Sequence, residues 1–203
     1  MNICVFASGN GSNFRAIIGA KRSGFLSSDI CLLITNNSGC GAVGIAKQYG
    51  IDVYHISRYI FKDIDEDEYS GLFISKLKEY KIDLIVLAGY MKKIDTGVIH
   101  EYSRRIINIH PAILPSFGGS GMYGINVHKA VLNSGVKVTG LTVHFVDDNY
   151  DKGEIILQKF LDVHDDDNED SLQKRVLSME HKYYSEVIKE IETGKIKIGN
   201  NFS

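Results

Sequence analysis

A chain of 203 residues, 44% of them hydrophobic, can bury roughly 70% of its unfolded surface and reads as a single domain. Its 23 basic residues stand against 25 acidic ones, so no global field draws it to nucleic acid or an anionic membrane, and any anion site must be local. Three cysteines (Cys4, Cys31, Cys40) without a CxxC argue against a disulfide framework or zinc knuckle, and no apolar run approaches the ~20 residues of a membrane span.

The first residues carry no basic leader and lead at once into a Gly-rich loop. They read as a strand and not as a signal peptide, with a cytoplasmic location as the expectation. Strand-like and helix-like segments then alternate: residues 2–8 and 12–22, 29–35 and 42–49, 53–57 and 65–80, 83–90 and 96–102. That alternation predicts an α/β fold with a mostly parallel twisted sheet and helices on both faces. Past residue 105 the pattern changes to a short strand (106–110), a Gly-rich loop (116–124) and a helix (127–133). Two long β-like runs follow, 137–147 and 154–163, which can pair with each other to give an antiparallel C-terminal portion.

The final helix is expected close to Ser171, after an acidic run at 164–170 whose carboxylates complement a positive helix terminus. As a calcium loop that run lacks the Gly required at the sixth position from Asp165. The predicted organisation is one domain over 1–203, with a nucleotide-phosphate half at 1–105, a catalytic half at 106–194 and a poorly packed tail at 195–203.

The loop Ser8-Gly9-Asn10-Gly11-Ser12-Asn13 lies between the first strand and first helix, where backbone N–H groups and the helix dipole converge. Read as GxGxxG it fails, because Phe14 stands at the third glycine. The second strand ends Ile34-Thr35-Asn36-Asn37, with no acid to hold a ribose, and no Gly-Lys-Ser/Thr makes a Walker loop. A monophosphate held by main chain plus Ser12 and Asn13 remains, beside a plain strand-to-helix turn capped by one of those side chains.

Asn108-Ile109-His110-Pro111 closes the short strand at 106–110, and alternation puts Asn108 and His110 on one side, opposite Ile107 and Ile109. An imidazole beside an amide offers proton transfer and an oxyanion donor in one segment. His55, His100, His128, His164 and His181 show no such company and stay unassigned. His144, within Val143-His144-Phe145, could join His110 and nearby aspartates in a metal site, but no ligand spacing supports one and no metal is expected. Residues 147–153 read as a hairpin loop rich in turn formers.

Several strings share an order and spacing with a known family: Ser8 to Asn13, Leu87-Ala88-Gly89-Tyr90-Met91, Asn108-Ile109-His110-Pro111, Leu114-Pro115-Ser116-Phe117, Val138-Thr139-Gly140 through Val143-His144-Phe145-Val146 to Asp151, Ile155-Ile156-Leu157-Gln158 and Glu180-His181. Across nearly the whole chain they resemble the glycinamide ribonucleotide formyltransferases of purine biosynthesis. The resemblance implies a Rossmann-like formyltransferase fold, 10-formyltetrahydrofolate as co-substrate without a metal, and the ribonucleotide amine as acceptor. It also implies small-molecule partners only, in a monomer or homodimer.

By position, the resemblance makes Asn108, His110 and Asp151 catalytic. It assigns Gly11, Ser12 and Asn13 to the ribonucleotide phosphate and Glu180 to the glycinamide end. The folate pocket would be lined by Met91, Lys92, Lys93 and Ile94 at the end of the first half and by Asn108, Asp147, Asp148, Asn149, Tyr150 and Asp151 of the second, which the resemblance makes folate-binding as well as catalytic. Ionised Asp151 beside His110 would raise its pKa, so that a protonated imidazole could donate to the developing oxyanion. The family's Arg near the start of the 65–80 helix has no obvious counterpart, which leaves Lys62 as candidate for the folate tail. Lys152 stands where a Gly is common, and the Gly-rich stretch 118–127 reads either as a mobile flap or as passive variation.

Overall fold

In the computed structural model, which describes residues 1–199, β1 (Asn2–Phe6), α1 (Ser12–Arg22), β2 (Asp29–Thr35), α2 (Gly41–Gln48) and β3 (Asp52–His55) make up the first winding. The second comprises α3 (Glu66–Glu79), β4 (Leu84–Leu87), α4 (Thr96–Glu101) and β5 (Ile106–His110), and the chain ends with α5 (Ile125–Ser134), β6 (Val138–Phe145), β7 (Ile155–Asp162) and α6 (Glu169–Glu192). All seven strands form one sheet in the order β3-β2-β1-β4-β5-β6-β7. The first five run parallel, whereas β6 is antiparallel to both β5 and β7. The expected mixed sheet and hairpin are both present.

Strand order reverses between β1 and β4, and such a switch point opens a crevice beyond the strands' carboxyl ends. β1 and β4 stop short of their predicted ends at 8 and 90, because the chain must leave the sheet there to build the crevice: Gly89 turns at φ 78°. Apolar side chains pack on both faces of the sheet. Ile107 and Ile109 join the cluster that includes Phe14, Ile17 and Ile188, while Ile106 joins the cluster around Phe73 and Val98.

α6 carries the buried stripe Leu172, Val176, Glu180, Tyr184 and Ile188, a spacing of four that keeps one face on the sheet. Tyr184 pins that face: its hydroxyl shares its proton between the carbonyls of Leu87 (2.9 Å), at the end of β4, and Ile107 (3.0 Å), within β5. Glu180, one turn back, is thereby set over the same end of the sheet. The helix starts at Glu169, earlier than predicted, because Asn168 caps it: its side chain accepts from the N–H groups of Asp170 and Ser171, and Ser171 Oγ accepts from the Asn168 N–H. Asp167 of the acidic run accepts from Ser171 Oγ and pairs with Arg175.

At the other end of α6, Glu192 accepts from the backbone N–H groups of Ser27 and Ser28, from Ser28 Oγ and from Lys189. Burial pushes its carboxyl up, but these donors outweigh that and hold it at about 2. A depressed carboxyl contributes stability that is present above its unfolded value near 4.5 and is lost as pH falls toward 2. Glu192→Ala should therefore cost ~1–3 kcal/mol at pH 7, seen as a lower urea midpoint, and much less at pH 3. An equal loss at both pH values would show that packing, and not ionisation, carries the effect.

The tail departs from expectation over residues 195–199. The Ile196 N–H bonds the Glu190 carbonyl, the Gly199 N–H bonds that of Arg104, and Ile196 and Ile198 pack on the core, because the two isoleucines have apolar surface to cover. The rest of the predicted tail, 200–203, lies outside the described residues.

Candidate active site

A cavity of about 650 Å³ lies beyond the carboxyl ends of β1, β4 and β5. The first loop forms its floor. Gly11 takes up φ 75° as the residue before α1, and a Cβ there would meet the Cα of Ala42 at 2.9 Å, so only glycine fits. No side chain caps α1, contrary to the alternative that Ser12 or Asn13 does so; the first-turn N–H groups are left without a capping oxygen at the cavity wall.

Asn13 is buried and its Nδ2 donates to Glu180 Oε2 at 2.8 Å, which leaves its Oδ1 buried and without a partner among the described residues. This side chain is therefore committed to Glu180, and what Asn13 offers an anion is its main-chain N–H. Burial pushes the Glu180 carboxyl up to about 7 against the lowering effect of Asn13. A raised carboxyl contributes stability that is full below its unfolded value near 4.5 and is lost as pH rises through 7. Glu180→Gln, which can still accept from Asn13, should be more stable than the parent by ~1–2 kcal/mol at pH 8, with the gain vanishing near pH 4 in urea unfolding. A gain independent of pH would contradict this account.

β5 delivers Asn108 and His110 into the cavity from the face opposite Ile107 and Ile109, as alternation predicts. His110 is 3% exposed. Its Nε2 lies 2.8 Å from the Phe117 carbonyl, which can only accept, so this nitrogen carries the proton. Its Nδ1 lies 3.7 Å from Asp151 Oδ2. The proximity of the acid is as expected, but the effect on His110 is not: burial lowers its pKa below 6.5 and outweighs the Asp151 charge and the Phe117 bond, with His144 lowering it further. The expected protonated imidazole is thus replaced by a neutral ring with a lone pair at Nδ1.

Asp151 reaches the site from the β6–β7 hairpin loop, held in a left-handed backbone conformation at φ 54°. Its Oδ2 accepts the Gly119 N–H at 2.8 Å, and Oδ1 lies 3.6 Å from His144 Nε2. Burial raises this carboxyl, but the His144 ring and the Gly119 N–H, with the His110 imidazole close by, outweigh it and hold the group below 3.8, ionised at neutral pH. Gly118 is needed for this closeness, since a Cβ there would sit 2.5 Å from Leu114 Cδ2 and 3.2 Å from Asp151 Cβ. That part of the Gly-rich stretch is a packing requirement and not passive variation.

The cavity also gathers Met91, Lys92, Lys93, Ile94, Asp147, Asn149 and Tyr150. Asp148 does not join them; its Oδ2 lies 3.3 Å from His100 Nε2 on the outer side of the loop. A second cavity of about 480 Å³ shares Tyr90, Lys92, Lys93 and Ile94 with the first. Lys62 lines neither. Besides Lys92 and Lys93, the second cavity's wall carries the cation Arg58, paired with Glu66 and stacked 3.7 Å over the Tyr69 ring.

His128, left unassigned by sequence, and His144, weighed there only as a metal ligand, also face the main cavity. His128 on α5 is 2% exposed, with Nδ1 unpartnered among the described residues, and burial together with His110 lowers its pKa to about 4. His144 on β6 stands opposite Asn108 in the antiparallel ladder. The only local signal for His144 was strand alternation, which cannot say which strand lies alongside.

A doubly wound sheet gathers an amide, an imidazole and an ionised carboxylate in one cavity with an uncapped helix start, an arrangement suited to group transfer. The chain belongs to the formyl transferase family, whose sequence pattern matches residues 1–188. It is 42% identical over 199 residues to the chloroplastic phosphoribosylglycinamide formyltransferase of Arabidopsis thaliana, covering 96% of this chain and 66% of that protein. It is 34% identical over 190 residues to the phosphoribosylglycinamide formyltransferase of Bacillus subtilis, covering 92% of each. Among solved structures, the phosphoribosylglycinamide formyltransferase of Coxiella burnetii in complex with CHES superposes with a TM-score of 0.89 at 33% identity, covering 99% of this chain and 91% of that one. The chain spans 60% to 66% of the length of its plant relatives.

Proposed function

We propose that the protein transfers the formyl group of 10-formyltetrahydrofolate to the amine of glycinamide ribonucleotide, giving formylglycinamide ribonucleotide and tetrahydrofolate. The supporting observation is that one cavity holds both the uncapped start of α1, suited to a phosphate, and the Asn108, His110 and Asp151 side chains, suited to acyl chemistry. The N–H groups at Gly11, Ser12 and Asn13 take the phosphate, and Glu180 takes the glycinamide end. Met91 to Ile94 and the hairpin loop at 147–151 line the folate side, with Asp148 outside it.

Attack of an uncharged amine on the formyl carbon produces an N⁺–H and an O⁻. Asn108 Nδ2 donates to the oxygen. Neutral His110 offers its Nδ1 lone pair to the amine proton, and the ionised Asp151 beside it stabilises the imidazolium that results. As the intermediate collapses, the bond from the formyl carbon to the folate nitrogen breaks, and the imidazolium passes its proton to that departing nitrogen and returns to the neutral ring. Holding both substrates in one cavity supplies a further share of the acceleration, up to ~7–11 kcal/mol in favourable systems.

The deciding assay presents 10-formyltetrahydrofolate to the purified protein with glycinamide ribonucleotide, tRNA or water as acceptor. Formate release that ignores the ribonucleotide would make the protein a hydrolase and overturn the proposal. Transfer should persist in EDTA, because each proposed step is carried by the side chains of Asn108, His110 and Asp151. No helix among the described residues is long and apolar enough to cross a membrane. A cytoplasmic location and a monomer or homodimer complete the proposal; cell fractionation and sedimentation test them.

A further inference from the structure

We propose that His144 is a positioning residue for this reaction: a neutral hydrogen-bond acceptor that aims the Asn108 amide so that one of its N–H bonds faces the reacting oxygen. The inference rests on the transfer reading above and goes beyond it, since His144 touches neither substrate in that scheme.

The geometry begins on β6. His144 is 2% exposed, and its Nδ1 lies 2.7 Å from the carbonyl of Phe145, the next residue along the strand. A carbonyl only accepts, so Nδ1 carries a proton, and the neutral ring we propose has its lone pair at Nε2. The group 3.1 Å from that lone pair, on Asn108, must therefore be a donor, which places the Asn108 Nδ2 toward His144 and the carbonyl oxygen away from it. No other hydrogen bond orients the Asn108 side chain among the described residues. An amide nitrogen has two hydrogens. With one held by His144, the other is fixed in direction and remains to donate.

The ladder makes the arrangement specific. Asn108 and His144 are direct cross-strand partners, and the next pair on the same face, two residues on, is His110 with Thr142. A proton on His144 Nε2 would instead turn toward Asp151 Oδ1, 3.6 Å away, and would displace the Asn108 N–H. The amide would then rotate and present its oxygen to His144. The Phe145 carbonyl, by keeping the proton on Nδ1, prevents this exchange and keeps Asp151 free for His110.

The test is a double-mutant cycle in the full chain. His144→Leu removes the acceptor, and kcat for formyl transfer should fall roughly 10- to 100-fold, as for other small displacements of catalytic groups, while KM for both substrates stays within a few-fold. His144→Gln, which can accept through its amide oxygen, should recover most of that loss. In an Asn108→Ala background, His144→Leu should cost nothing further, because its effect passes through the amide already removed. Additive losses, or equal losses for Leu and Gln, would overturn the inference. Should His144→Leu fail to fold, nitrogen NMR of the unmodified protein decides it: Nε2 of His144 must resonate as an unprotonated nitrogen, and a protonated one would sink the proposal. An unmodified protein without transferase activity would overturn the functional reading instead, with the NMR result still deciding the hydrogen bond.

Discussion

His110→Ala should lower kcat by roughly 10²- to 10⁴-fold, the range for loss of a positioned proton-transfer group, with ribonucleotide affinity changed only a few-fold. In the proposed scheme the phosphate end is held by main-chain groups of the first loop and not by His110, so binding and turnover should separate. The pH profile carries the sharper content. Burial lowers the His110 pKa below 6.5, so the ring is neutral at pH 7 and becomes charged only on acidification. A base of this kind loses activity as pH falls through its pKa. The acid limb of kcat/KM should therefore lie below pH 6.5 and be absent from the residual activity of His110→Ala. Had His110 been needed as the imidazolium, activity would instead fall as pH rises; an alkaline limb that disappears in the variant would return it to the role of proton donor.

Asp151→Asn should lower kcat by roughly 10²- to 10³-fold, similar to loss of one preorganised electrostatic partner. Asparagine preserves shape, tolerates the left-handed backbone at φ 54° and can still accept the Gly119 N–H, so the fold should be kept. Only the charge is lost. Because the Asp151 charge raises the His110 pKa against burial, its removal lowers that pKa further, and the acid limb of kcat/KM should move to lower pH. A limb that stays in place, or moves toward alkali, would mean that the 3.7 Å approach between the two groups has no electrostatic consequence.

Elements and folds differed in how far they could be read. The βα alternation through residue 102 and the two β-like runs after 136 were visible because each rests on a period within a few consecutive residues. Element ends were less legible: β1 and β4 terminate early because the crevice needs the chain there, and α6 begins at Glu169 because the Asn168 side chain caps it. Asp148 was grouped with its neighbours in the hairpin loop, yet its side chain turns to His100, since successive residues of a loop point in different directions. Lys62 was the nearest cation in sequence, whereas the fold brings Arg58 to the second cavity.

Local sequence by itself determined the strand that presents Asn108 and His110 together, and a first loop unfit for a dinucleotide, because alternation and glycine placement act over neighbouring residues. The tertiary structure decided the rest of the site. Asn108 meets His144 across 36 positions and Asn13 meets Glu180 across 167, so these pairings arise only from strand order and helix docking. The protonation of His110 was decided in the same way. Its charge partner was foreseeable from resemblance, but the burial that outweighs that partner comes from the surrounding chain closing over the ring, and desolvation of this kind is a property of the folded molecule alone.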